Sequence, residues 1–125
     1  MSEPQDEFSA LYRRIDSLSQ SELDDLPHGT IQLDEGGKIM QFNMYESKLA
    51  NLERAAVIGK NFFKDVAPCT DVKEFFGRFK EGVAAKKLYE KFRYHFAFKQ
   101  DPRNVLVTLF YSDKSQSVWV FVQPM

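Results

Sequence analysis

The chain has 125 residues, 17 Lys+Arg against 18 Asp+Glu, and a formal net charge of −1. A domain of this length buries roughly two thirds of its extended-chain surface and needs no metal or disulfide to hold it; the single cysteine, Cys69, excludes an internal disulfide. Near-zero charge argues against an electrostatic nucleic-acid binder, no apolar run approaches the roughly 20 residues of a membrane span, and two histidines with one cysteine make no recognisable zinc site.

Residues 1–7 are polar and acidic and lack the basic-plus-apolar start of a signal peptide. The expectation is a cytoplasmic monomer. Residues 4–25 are the most polar part of the chain, yet Phe8, Leu11, Tyr12, Ile15 and Leu18 recur at helical spacing. Ser19 or Ser21 is placed to start a second short helix before Leu23 and Leu26. This pattern predicts an amphipathic cap that lies on another surface. Thr30–Asp34 and Lys38–Phe42 alternate around Glu35-Gly36-Gly37, which predicts a β-hairpin. Asn43 is a candidate N-cap, and short helices are expected from there to Val57.

Asp71 and Glu74 have the three-residue offset of a capping box. Val72, Phe75, Phe76, Phe79 and Val83 then follow a helical period, predicting one helix from Asp71 to Lys86. Three strands are expected after it. Phe92, Tyr94, Phe96 and Phe98 alternate with polar residues in the first. Val105, Val107, Leu109 and Tyr111 mark the second, and Val118, Val120 and Val122 the third. The last two strands are apolar on both faces and need cover on both sides. The middle helices can cover one face, and the N-terminal segment the other, over Trp119 and Phe121. The fold class is therefore α+β: a five-stranded antiparallel sheet with helices on one face and an N-terminal helical cap on the other. Residues 1–28 are assigned to the cap and residues 29–125 to the core of one compact domain.

Two side chains invite chemistry. Cys69 follows Pro68 and precedes a predicted helix start; donor N–H groups there would stabilise a thiolate, although the context also suits an inert structural cysteine. A cysteine hydrolase would need a base beside the thiol, and neither His28 nor His95 carries a motif. Glu46 sits among Phe42, Met44, Tyr45 and Leu49. Buried there, its carboxyl would stay protonated and donate a hydrogen bond; exposed on a helix, it would be unremarkable. The aromatic rows Phe62/Phe63 and Tyr94/Phe96/Phe98 suit a plain core as well as a ligand wall. Twelve phenylalanines, more than the leucines, are a large number for a small core.

The run from Ile58 through Gly59-Lys60-Asn61-Phe62-Phe63-Lys64-Asp65-Val66-Ala67-Pro68-Cys69-Thr70 to Asp71 resembles the chromophore-attachment segment of the photoactive yellow protein family. The segment Glu74 to Ala84, the stretch Ile31-Gln32-Leu33-Asp34, Val105, Val107, Ser117 and Trp119-Val120-Phe121-Val122 continue the likeness, which runs from about Gly29 to Val122. The resemblance implies a PAS-like fold, with residues 29–125 as its chromophore-binding core, and a blue-light photoreceptor rather than an enzyme. It implies 4-hydroxycinnamic acid (p-coumaric acid) as chromophore, held as a thioester on Cys69. The backbone N–H of Cys69 would hold the thioester carbonyl, and Glu46 would donate a hydrogen bond to the phenolate. Phe62, Val66, Ala67, Pro68, Tyr94, Phe96 and Phe98 match the pocket wall. Light would isomerise the chromophore, move the proton of Glu46 and loosen the cap. A separate downstream signalling protein would read the change.

Three positions depart from the family pattern. Phe42 stands where the pattern has a tyrosine hydroxyl, Ala50 where it has a threonine, and Leu52 where it has an arginine. All three lie at the phenolic end of the expected pocket. Losing a donor there raises the chromophore's pKa and shifts its absorption to the red, unless Tyr45 or Arg54 reaches in as a substitute. These departures also leave open a second reading, a PAS-type module that binds another small ligand or a protein without a covalent chromophore.

Overall fold

The computed structural model describes residues 6–96 and 103–125. Its centre is a five-stranded, fully antiparallel sheet: β1 (Gly29–Leu33), β2 (Ile39–Phe42), β3 (Tyr89–Phe96), β4 (Arg103–Ser112) and β5 (Ser117–Pro124). Their spatial order is β2-β1-β5-β4-β3. The α+β expectation holds. Phe98, expected in the first of the late strands, lies outside the described residues.

The predicted hairpin joins β1 and β2, with Ile31 opposite Phe42 and Gln32 opposite Gln41. Asp34 builds its turn: Oδ1 accepts from the N–H groups of Gly36 at 2.9 Å and Lys38 at 2.8 Å. Gly37 has φ +93°, a conformation open to glycine at little cost.

Alternation along β4 and β5 sorts side chains to two faces. Val105, Val107, Leu109, Val118, Val120 and Val122 join one core with Phe62, Phe63, Phe75 and Phe79. Trp119 and Phe121 point the other way and pack with Phe8, Tyr12, Ile15 and Leu23. Phe8 caps α1 (Ser9–Arg14), and the others come from α1, the 3₁₀ turn after it and α2 (Gln20–Asp24), so the N-terminal segment covers the face assigned to it. Ser19, not Ser21, caps α2. Its hydroxyl accepts from Glu22 N–H at 3.2 Å, and the Glu22 carboxylate accepts from Ser19 N–H at 2.9 Å.

The cap helices are too short to persist alone, and three aspartates fasten them to the rest. Asp6 accepts from the hydroxyls of Tyr12 (2.9 Å) and Tyr89 (2.6 Å) and pairs with Lys91 at 2.9 Å. Burial alone would raise the pKa of Asp6, but its donors Tyr89, Lys91, the Phe8 N–H and Tyr12 outweigh that and draw it down to about 2. Asp16 accepts from Ser112, from Ser115 at 2.6 Å and from the Trp119 indole at 2.9 Å. Asp24 accepts from Met44 N–H at 2.8 Å and pairs with Arg54 at 2.5 Å.

Between β2 and β3 lie α3 (Met44–Ala50), α4 (Arg54–Val57), a π turn over Phe62–Val66, a 3₁₀ turn over Pro68–Thr70, a second π turn over Lys73–Gly77 and α5 (Arg78–Ala85). The single helix expected over Asp71–Lys86 is thus a correction. Asp71 caps nothing: the segment starts from Val72, which is extended and makes no side-chain cap. The wide turn, marked by Gly77 N–H donating to Val72 O at 3.3 Å, changes the angular spacing of Phe75, Phe76 and Phe79. All three then reach Phe63, with ring centroids 5.7, 4.6 and 4.9 Å away. Aromatic packing overrides the simple helical period here.

His28 is buried where the cap meets β1. Its ring centroid lies 4.8 Å from that of Phe8 and 4.9 Å from that of Phe121, and its Nδ1 is 3.0 Å from Gly29 O. Burial pushes its pKa below the ordinary 6.5, against the opposing pull of the Gly29 carbonyl and of Glu7. An unfolded chain takes up this proton near 6.5 and the folded one resists it, so folding stability from this group is lost as pH falls below that value. The stability difference between wild type and His28→Phe, measured by denaturant titration, should therefore change between about pH 7 and about pH 5, with wild type losing ground in acid. A pH-independent difference would refute this role for His28.

Candidate functional site

The segment Ala67–Asp71 fixes the only thiol. Pro68 opens the 3₁₀ turn, where its missing N–H costs nothing. Ala67 O accepts from the Thr70 N–H at 2.9 Å and the Thr70 hydroxyl at 2.6 Å, and Asp71 N–H donates to Pro68 O at 3.0 Å. Cys69 is the second residue of this turn, so its own N–H has no partner within the turn. The cysteine is free and half-buried, and its side chain packs on the main core. The Tyr94 hydroxyl donates to Cys69 O, which ties the turn to β3.

Glu46 occupies the first turn of α3. Asn43 is its N-cap, as the sequence suggests, and does more than cap. Its Oδ1 accepts from Glu46 N–H (3.0 Å) and Thr30 N–H (2.9 Å), while its Nδ2 donates to Leu23 O (2.7 Å) and His28 O (3.1 Å). The Glu46 side chain is buried, and its Oε1 has no hydrogen-bond partner among the described residues. Burial pushes its pKa up to about 8. At neutral pH the group is therefore largely a carboxylic acid, a donor in search of an acceptor.

The wall residues converge. Phe42, Phe62, Ala67 and Phe96 are buried in one continuous core with the partly buried Ala50, Leu52, Val66, Cys69 and Tyr94. Pro68 is exposed and contributes through the turn it opens. Phe98 lies outside the described residues. Phe42 is almost fully buried and offers no hydroxyl. Arg54 is engaged elsewhere, donating from Nε to Phe42 O at 2.8 Å and from its terminal nitrogen to Asp24 at 2.5 Å. Tyr45 is half-buried and stands outside this core.

Neither histidine is brought to the thiol. His28 lies under the cap, and His95, exposed next to Tyr94 on β3, points to the opposite face with Nδ1 2.8 Å from Asn104 Oδ1. Among the described residues no group of three or more His, Cys, Asp or Glu could hold a metal, and no helix is long and apolar enough to cross a membrane. A cleft of about 890 Å³ opens elsewhere, between the cap, α5 and β3–β4, and is lined by neither Cys69 nor Glu46. Sequence reasoning missed the Tyr94–Cys69 link, whose only local signal is an aromatic residue with a hydroxyl in a row otherwise filled by phenylalanine. It also missed the second half of the Asn43 network, which joins groups far apart in the chain.

Glu46 carries a pH prediction for the pigment-free protein. The folded state keeps the proton up to about 8 while the unfolded state releases it near 4.5, so stability from this group is lost as pH rises through that window. The loss is on the order of a few kcal/mol. The stability difference between wild type and Glu46→Gln, measured by denaturant titration across this range, should change, with wild type losing ground to the variant toward alkali.

The comparisons agree with this architecture. A family model described as "PAS fold" matches residues 17–125. The chain is 45% identical over 106 residues to a photoactive yellow protein of Rhodothalassium salexigens, covering 85% of each chain. It is 44% identical over 107 residues to that of Halochromatium salexigens, covering 86% of each. The photoactive yellow protein domain of the sensor histidine kinase Ppr from Rhodospirillum centenum superposes with TM-score 0.86 at 38% identity, covering 90% of this chain and 98% of that one. With a PAS sheet, a capped second face and this level of identity over most of its length, the chain belongs to the photoactive yellow protein family.

Proposed function

We propose that this protein is a PAS-type blue-light photoreceptor that carries p-coumaric acid as a thioester on Cys69. The observation that carries the reading is the buried carboxyl of Glu46, whose Oε1 has no partner and whose pKa burial raises to about 8. A buried donor left unpaired costs about 1–3 kcal/mol, a cost removed by a ligand that brings an acceptor. The residues present fit such a group. A free, half-buried thiol and a turn N–H suit an acyl attachment, and a flat aromatic wall suits a ring.

When bound, the chromophore supplies visible absorption and light-driven isomerisation of its double bond. The protein's residues do the rest. Cys69 Sγ would hold the p-coumaroyl group through a thioester bond. The Cys69 N–H, which has no partner within its turn, would be available to the carbonyl oxygen, and the Tyr94 hydroxyl steadies the turn that presents both. Glu46 would donate to the phenolate and would be the group whose proton moves after excitation. The resulting carboxylate is an unpaired buried ion, costing several kcal/mol, against a domain stability of about 5–15 kcal/mol.

The cap is the element that yields, because its short helices depend on contacts across the sheet and on Asn43. Its departure uncovers Trp119 and Phe121, a face that a separate signalling protein can read. The protein acts as a monomeric signalling module, with no reaction of its own to catalyse.

Three outcomes check this. Incubation with activated p-coumarate should add one p-coumaroyl group to wild type and none to Cys69→Ala. The coloured protein should show a mixed or red-shifted band relative to relatives that have a tyrosine at the position of Phe42. A single unshifted anionic band contradicts the assignment of Phe42, and no adduct favours the reading as a small-ligand or protein-binding module. Under blue light, amide hydrogen exchange should quicken over residues 6–28 well before the amides of β4 and β5 respond. Uniform exchange would argue against cap release.

A further inference from the structure

Gly29 begins β1, is buried, and pairs with Val122 of β5. Unlike Gly37 and Gly59, it does not have a positive φ. Its backbone is one that other residues adopt freely, so conformation gives no reason for a glycine there. Space does. A Cβ at position 29 would come within 2.0 Å of Glu46 Oε1, 3.1 Å of Glu46 Cδ and 3.2 Å of Val122 Cβ. The carboxyl of Glu46 sits where a side chain at position 29 would begin.

We propose that Gly29 is a positioning residue for Glu46: the volume left by its missing side chain is the seat of the carboxyl group, and the residue at position 29 decides where that proton is offered. This rests on the photoreceptor reading for its use, but not for its geometry. The root of Glu46 is fixed, because Asn43 Oδ1 holds the N–H groups of both Glu46 and Thr30, the neighbour of Gly29. Helix α3 therefore cannot back away from β1 without breaking that shared acceptor. Val122 is fixed by its ladder partners Gly29 and Val107 on the adjoining strands. The tip of Glu46 is the part free to turn, since no hydrogen bond holds its Oε1. Its place is set by shape: the glycine admits it, and a methyl group would expel it. A displaced donor meets the phenolate at a different distance and angle, and hydrogen bonds weaken steeply with misalignment.

The test is Gly29→Ala in the full chain. In pigment-free protein, the infrared carbonyl band of protonated Glu46, identified by its loss in Glu46→Gln, should shift. Its titration midpoint should move down as the oxygen leaves its dry seat. An unchanged band and midpoint would overturn the proposal. A double-mutant cycle guards against a purely structural effect. The drop in unfolding midpoint caused by Gly29→Ala should largely vanish in a Glu46→Ala background, where nothing occupies the seat. If Gly29→Ala alone fails to fold, folding of the double variant supports the proposal, and failure of both refutes it; so does an equal drop in both backgrounds. After reaction with activated p-coumarate, Gly29→Ala should keep the wild-type yield of adduct on Cys69 while its absorption maximum moves. Absence of adduct in wild type would fail the photoreceptor reading and leave the pigment-free result standing by itself.

Discussion

The amide of Asn43 is the point on which the rest of this structure hangs. It makes four hydrogen bonds to four segments: the start of α3, the first strand, the end of the second cap helix and the residue before β1. Both ends of the amide are used, so none of the four can shift without leaving a buried polar group unpaired. Glu46 is oriented from this hub on one side of the sheet, and the cap is held from it on the other. A change of charge at Glu46 and a change of packing at the cap are thus mechanically adjacent, although they occupy opposite faces.

Much of the fold was legible because its signals are local and periodic. The two-residue alternation of Val105–Tyr111 and Val118–Val122, apolar on both faces, dictates a sheet covered on both sides, and Phe8, Tyr12 and Ile15 at helical spacing supply one cover. The hairpin is written into Asp34 and Gly37. The two π turns were not legible. Each trades regular helix for aromatic contacts with rings elsewhere in the chain, and no spacing rule within the segment encodes that trade. The roles of Asp6, Asp16 and Asp24 were equally hidden, since each partner lies far away in sequence: Lys91, Trp119 and Arg54.

The site was legible by a different route. Spacing and composition left Cys69 and Glu46 as open alternatives, and likeness to a known segment joined them. The geometry adds physical content for Glu46: it is buried, with an oxygen that lacks a partner, and that burial raises its pKa to about 8. At the same, phenolic end of the expected pocket, Phe42, Ala50 and Leu52 form an apolar boundary, while Arg54 spends its charge on Asp24 and a backbone carbonyl. This region is apolar, and the charge nearest to it, Arg54, fastens the cap through Asp24.

The three aspartates of the cap also bear on how precisely it is seated. Apolar packing of Phe8, Tyr12, Ile15 and Leu23 on Trp119 and Phe121 is strong but tolerant of sliding, because hydrophobic contact is non-directional. Carboxylates are not tolerant. Asp6 finds two phenols and an ammonium, Asp16 two hydroxyls of the β4–β5 turn region besides the indole, and Asp24 a guanidinium and a helix-start amide. Spaced along the segment, they act as three keyed pins, each with its own socket. Under the proposed cap release, they would index the returning segment to a single landing position, so that every cycle would begin from the same resting state.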